Sequence, residues 1–120
     1  MLRILIADDD VDYCAAFADG LGQFGYEVKA VHNGMEVIDT IESDSFDVVF
    51  LDIFMPGGGA VSLAHEISSR FPELPMIVIS GQELLYETPI FQKGLRHARA
   101  VLRKSASLRE IRDAISNAIV

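Results

Sequence analysis

The chain has 120 residues, half of them hydrophobic, and a formal net charge of −8. That length holds one domain (residues 1–120) and the apolar half fills its core, which excludes global disorder. The acidity argues against direct nucleic-acid binding. The single cysteine, Cys14, excludes an internal disulfide and a cysteine-rich zinc centre. No apolar run reaches membrane-span length and no signal peptide precedes the first predicted strand, so the expected setting is cytoplasmic with no membrane contact.

Residues 2–7 read as a buried strand. Residues 11–24 follow with Val11, Cys14, Phe17, Leu21 and Phe24 near helical spacing, and Gly22 and Gly25 as a stop signal. Residues 26–31 alternate as a second strand, 32–34 form a turn, and a helix carries Val37, Ile38 and Ile41. "FDVVFLDI" is the third strand, "MPGGGA" its exit loop, and residues 60–71 a helix with Val61, Ala64, Ile67 and Phe71 on one face. "LPMIVIS" is the fourth strand. Thr88-Pro89 pairs an N-cap with a first-turn proline, opening a helix to about Gly94. "RAVLR" is the fifth strand, and Ser107 caps a last helix with Leu108, Ile111, Ala114, Ile115 and Ala118. Strand–helix alternation with apolar strands predicts an α/β fold with a parallel sheet covered on both faces, its working site at the carboxyl ends of the strands.

Those ends form a short list. Strand one runs into Asp8, Asp9 and Asp10; strand three ends at Asp52, strand four at Ser80, strand five at Lys104. An acidic triplet alone suits a helix start; four carboxylates converging with a hydroxyl and an ammonium suit a hard cation such as Mg²⁺, which takes oxygen ligands and keeps waters. A carboxylate beside such a metal can act as a nucleophile toward a phosphoryl group, with Lys104 and Ser80 contacting its oxygens.

With these residues in place, the whole chain resembles the receiver domain of two-component response regulators: "ILIADDD" its first strand and acidic pair, "DVVFLDIFMPGGGA" its phosphoacceptor strand, "IVIS" its switch-hydroxyl strand and "VLRKS" its lysine strand. The resemblance implies a flavodoxin-like doubly wound (βα)5 sandwich with strand order 2-1-3-4-5. It implies that Asp52 accepts a phosphoryl group from a sensor histidine kinase, a phosphotransfer protein or a small phosphodonor. Asp9, Asp52 and the Phe54 backbone carbonyl would bind Mg²⁺ directly and Asp8 through water, with Asp10 a helix-start residue. Ser80 and Lys104 would contact the phosphoryl oxygens, and Ser80 would act in the switch. The output would be a face of the fourth helix, fifth strand and fifth helix, offered to a downstream protein or to an output domain outside this chain. Such a domain assists its own phosphotransfer but is not an enzyme.

The sequence departs from that pattern at four places. Val101 stands where the family usually has the aromatic partner of the switch hydroxyl, and a valine cannot swing as a ring does. Ser105 stands where a cis-proline usually follows the lysine; without proline a cis bond costs about 3 kcal/mol, so trans is expected. Ser80 to Lys104 spans a little more than usual, with the surplus in 81–88 or 96–99. Phe54 and Gln82 border the phosphoryl site and set its lifetime in opposite directions, the ring shielding it from water and the amide orienting water. Cys14 reads as core. His32, His65 and His97 show no ligand spacing. Arg96, Arg99, Arg103, Arg109 and Arg112 read equally as a docking face or a solvated surface.

Three rivals share parts of this pattern. A haloacid-dehalogenase-type phosphatase needs a second acid where Phe54 stands. A flavodoxin-like FMN protein needs a hydroxyl-rich loop where "ADDD" would repel phosphate. A receiver-like interaction module that signals without phosphorylation stays open because of Val101 and Ser105.

Overall fold

The computed structural model describes residues 1–53, 55, 60–81 and 89–119. The elements run β1 (Arg3–Ala7), α1 (Val11–Gly22), β2 (Glu27–Val31), α2 (Met35–Ser43), β3 (Val48–Asp52), α3 (Ala60–Arg70), β4 (Met76–Ser80), α4 (Pro89–Gly94), β5 (Ala100–Arg103) and α5 (Leu108–Ala118). All neighbouring strands pair in parallel, in the order β2-β1-β3-β4-β5, as expected.

Burial follows position in the sheet. The central strands β3 and β4 are buried at every residue and β1 at all but its first, which is why they read as unbroken apolar runs. The edge strands β2 and β5 alternate instead. Along β1, β3 and β4 successive side chains enter different cores. Ile4, Ile6, Val48, Phe50, Ile77 and Ile79 pack with Cys14, Phe17 and Leu21 of α1 and Ile111 and Ile115 of α5. Leu5, Ala7, Val49, Leu51 and Val78 pack with Val37, Ile38 and Ile41 of α2, Leu63, Ala64 and Ile67 of α3, and Leu95. Each large aliphatic buried this way contributes about 1.5–3 kcal/mol.

The helix ends bear out the local signals with two corrections. Ser107 and Glu110 form a capping box at α5. Asp10 is the N-cap of α1, its Oδ1 accepting the Tyr13 N–H at 3.0 Å. Gly25, at φ +85°, takes the left-handed turn after α1 that favours glycine. Val11 and Phe24, expected on the apolar face of α1, are exposed. Val11 is the first helical residue, and Phe24 lies beyond the helix end, where Arg112 covers its ring at 4.9 Å. Thr88, the expected cap of α4, lies outside the described residues. No cis peptide bond occurs among the described residues.

At the amino edge of the sheet Arg3 pairs with Asp44 and holds its carboxyl down at about 2. On the α3–α4 side, a Cβ on Gly94 would collide with the Val61 side chain. Val61 is β-branched and stiff, so Gly94→Ala is expected to cost about 1–3 kcal/mol. Denaturant titration should show Val61→Ala recovering most of that loss in the double variant; equal losses in both backgrounds would rule out the contact.

Candidate functional site

Four strand ends bring the predicted residues to the carboxyl edge. Asp8 follows β1, fixed by its N–H to the Val31 carbonyl at 3.0 Å. Asp52 closes β3, and Ser80 closes β4 opposite Arg103. Lys104 follows β5, its N–H donating to the Ser80 carbonyl at 3.0 Å. Asp8, Asp52 and Ser80 are buried, and Asp9 is exposed.

Carboxylate oxygens of Asp8, Asp9 and Asp52 lie within 4.8 Å of one another. The Lys104 ammonium donates to Asp8 Oδ1 at 3.0 Å and stands 2.8 Å from Asp8 Oδ2 and 3.5 Å from Asp52 Oδ2. Burial alone would lower the Lys104 pKa, but the hydrogen bond to Asp8 and the charges of Asp52 and Asp8 outweigh it, and the pKa is raised. One ammonium does not balance three carboxylates. Asp8 Oδ2, although near Lys104, is outside hydrogen-bond geometry and accepts no hydrogen bond among the described residues. An all-oxygen donor set of three clustered carboxylates, two of them buried, fits a hard divalent cation.

Other predicted residues sit differently. Asp10 is not part of the carboxylate cluster; its side chain makes the capping bond of α1. Val101 is 38% exposed on β5 and pairs with Val78, on the α2–α3–α4 side of the sheet. Phe54 and Gln82 lie outside the described residues. Of the arginines, Arg99 donates to the Ala118 carbonyl at 2.8 Å and Arg112 covers Phe24, which gives these two structural contacts.

Three neighbours carried no sequence signal for this site. His32 Nδ1 (3.0 Å) and the Cys14 thiol (3.5 Å) both donate to the Asp8 carbonyl, fixing the backbone that aims its carboxylate. Tyr13 places its ring 5.1 Å from the Lys104 ammonium. Each is brought in by tertiary packing rather than by spacing.

Residues 4–116 match the family model of the response regulator receiver domain. Among curated proteins, response regulator MprA of Mycobacterium avium is 31% identical over 86 residues, covering 72% of this chain and 38% of that protein, so this chain spans well under half of the relative's length. Among solved structures, a CheY-like response regulator receiver domain protein from Methanospirillum hungatei superposes with a TM-score of 0.88 at 26% identity, covering 99% of this chain and 94% of that one. Response regulator protein TrrA from Thermotoga maritima, solved in complex with Mg²⁺ and BeF, gives 0.85 at 27% identity over 97% of both chains.

Proposed function

The chain belongs to the response regulator receiver domain family, and from that premise we propose that Asp52 is its phosphoacceptor. The observation that carries the reading is the clustering of the Asp8, Asp9 and Asp52 carboxylates, with the half-buried Lys104 ammonium against Asp8 and Asp52. In the proposed step an Asp52 carboxylate oxygen attacks phosphorus. The new bond joins that oxygen to phosphorus, and the bond broken joins phosphorus to a histidine nitrogen of a kinase or phosphotransfer protein, or to the acyl oxygen of a small phosphodonor. The leaving group keeps the electron pair.

This chain's own residues prepare the step. Asp8 and Asp9, with Asp52 and the Phe54 carbonyl, would hold Mg²⁺; when bound, it neutralises the acids and the developing phosphoryl charge. Lys104, already 3.5 Å from Asp52, follows the incoming charge, and Ser80 donates its hydroxyl to a phosphoryl oxygen. Phe54 and Gln82 set the lifetime, and Ser80 drives the switch toward α4, β5 and α5, with Val101 a weak relay. The partners are a histidine kinase or phosphotransfer protein upstream and a downstream protein or output domain, in a cytoplasmic setting; no step needs nucleic acid.

Intact mass after incubation with acetyl phosphate tests the reading. The expected result is one phosphoryl adduct with Mg²⁺ and none with EDTA. No adduct despite Mg²⁺ binding would favour the phosphorylation-independent interaction module.

A further inference from the structure

The Lys104 ammonium has a third neighbour besides Asp8 and Asp52. It lies over the Tyr13 ring, 5.1 Å from the centroid. That ring is anchored from behind. Tyr13 sits in the first turn of α1, its N–H tied to Asp10 Oδ1. Its ring leans on Phe17 at 6.1 Å, and Phe17 meets Phe50 edge-on at 4.9 Å, two residues before Asp52 on β3. Burial, with the Asp8 charge, pushes the Tyr13 hydroxyl up to about 12, so the ring stays neutral and its face attracts a cation.

We propose that Tyr13 is the positioning residue for Lys104: its ring face holds the ammonium over Asp8 and Asp52, and a phosphoryl group on Asp52 draws the ammonium off the ring. This rests on reading Lys104 as the phosphoryl contact. Lysine stems are flexible and lose rotamer freedom when fixed. A ring that covers the ammonium limits its escape to water while leaving it able to shift toward Asp52. The consequence is directional. Val101 belongs to the α2–α3–α4 side of the sheet, whereas Tyr13 and Phe17 belong to the α1–α5 side. With a valine at 101, the aromatic that answers phosphorylation stands on the opposite face, at the start of α1.

The test uses Tyr13→Phe and Tyr13→Leu in the full chain, with two readouts. The first is the proton shift of the Lys104 ε-methylene in metal-free protein, which reports the ring over the ammonium with no phosphorylation. The second is the rate of adduct formation from acetyl phosphate with Mg²⁺. Tyr13→Phe should keep both the upfield shift and the rate. Tyr13→Leu should lose the shift and slow adduct formation on the order of fivefold. Beryllofluoride should relax the shift in wild type. A full rate in Tyr13→Leu, or equal slowing in both variants, would overturn the role of the ring. An upfield shift in a wild-type protein that forms no adduct would instead overturn the phosphoacceptor reading, and this role with it.

Discussion

An Asp52→Asn protein is expected to form no phosphoryl adduct and, in EDTA, to be more stable than wild type by about 1–2 kcal/mol. Loss of the adduct follows from the loss of the nucleophilic oxygen. The gain in stability follows from the charges. Asp8 and Asp9 each offer an oxygen within 4.8 Å of Asp52, and Lys104 stands 3.5 Å away. At an effective dielectric of 20, each carboxylate repels Asp52 by roughly 3.5 kcal/mol and Lys104 returns roughly 4.7, so repulsion wins by roughly 2. Asp9 is exposed, and solvent trims its share. Asparagine removes the charge and nearly keeps the shape. Denaturant midpoints in EDTA and in Mg²⁺ check this: the advantage should shrink or reverse as the cation binds, because the variant also gives up a ligand charge. A variant less stable than wild type in EDTA would mean that Lys104 already balances the cluster. An adduct that survives the substitution would move the acceptor elsewhere.

The fold was legible because its signals are local and repeated. Unbroken apolar runs marked β1, β3 and β4 as buried strands, and the alternation in β2 marked a strand whose structure proves to be an edge. Ser107 announced the start of α5. The positions of Asp8, Asp52, Ser80 and Lys104 were legible for the same reason: a parallel sheet sends all its carboxyl ends to one edge, so finding the strand ends finds the cluster. Val11 and Phe24 misled because helical spacing does not say where a helix stops, and residues at its ends escape the core. Tyr13, His32 and Cys14 were illegible as parts of the site. Each reaches Asp8 or Lys104 through the docking of α1 and the β2 exit against the sheet, a contact between segments that no spacing encodes.

Lys104→Met is expected to move metal-free stability the opposite way from Asp52→Asn. Methionine keeps the apolar stem but leaves Asp8 and Asp52 buried without their cation. Breaking a fully buried pair costs about 3–5 kcal/mol; the Lys104 side chain keeps 23% of its surface exposed, so the loss here should be about 2. The pH dependence has a definite sign. The Lys104 pKa is raised above its ordinary 10.5, so its contribution is complete below that value and is lost as pH rises through the higher folded value. The difference between wild type and Lys104→Met should therefore be flat near neutrality and narrow only in strong alkali. Saturating Mg²⁺ should recover most of the lost stability, since a dication neutralises the same carboxylates. It should not recover the reaction, which is expected to run ~10²-fold slower without an ammonium to meet the phosphoryl charge. If Mg²⁺ restored the rate as well as the stability, Lys104 would be a structural counter-charge with no part in phosphotransfer. If Lys104→Met cost as much stability in an Asp52→Asn background as in wild type, the lysine would be balancing Asp8 only, and its 3.5 Å approach to Asp52 would carry no energy.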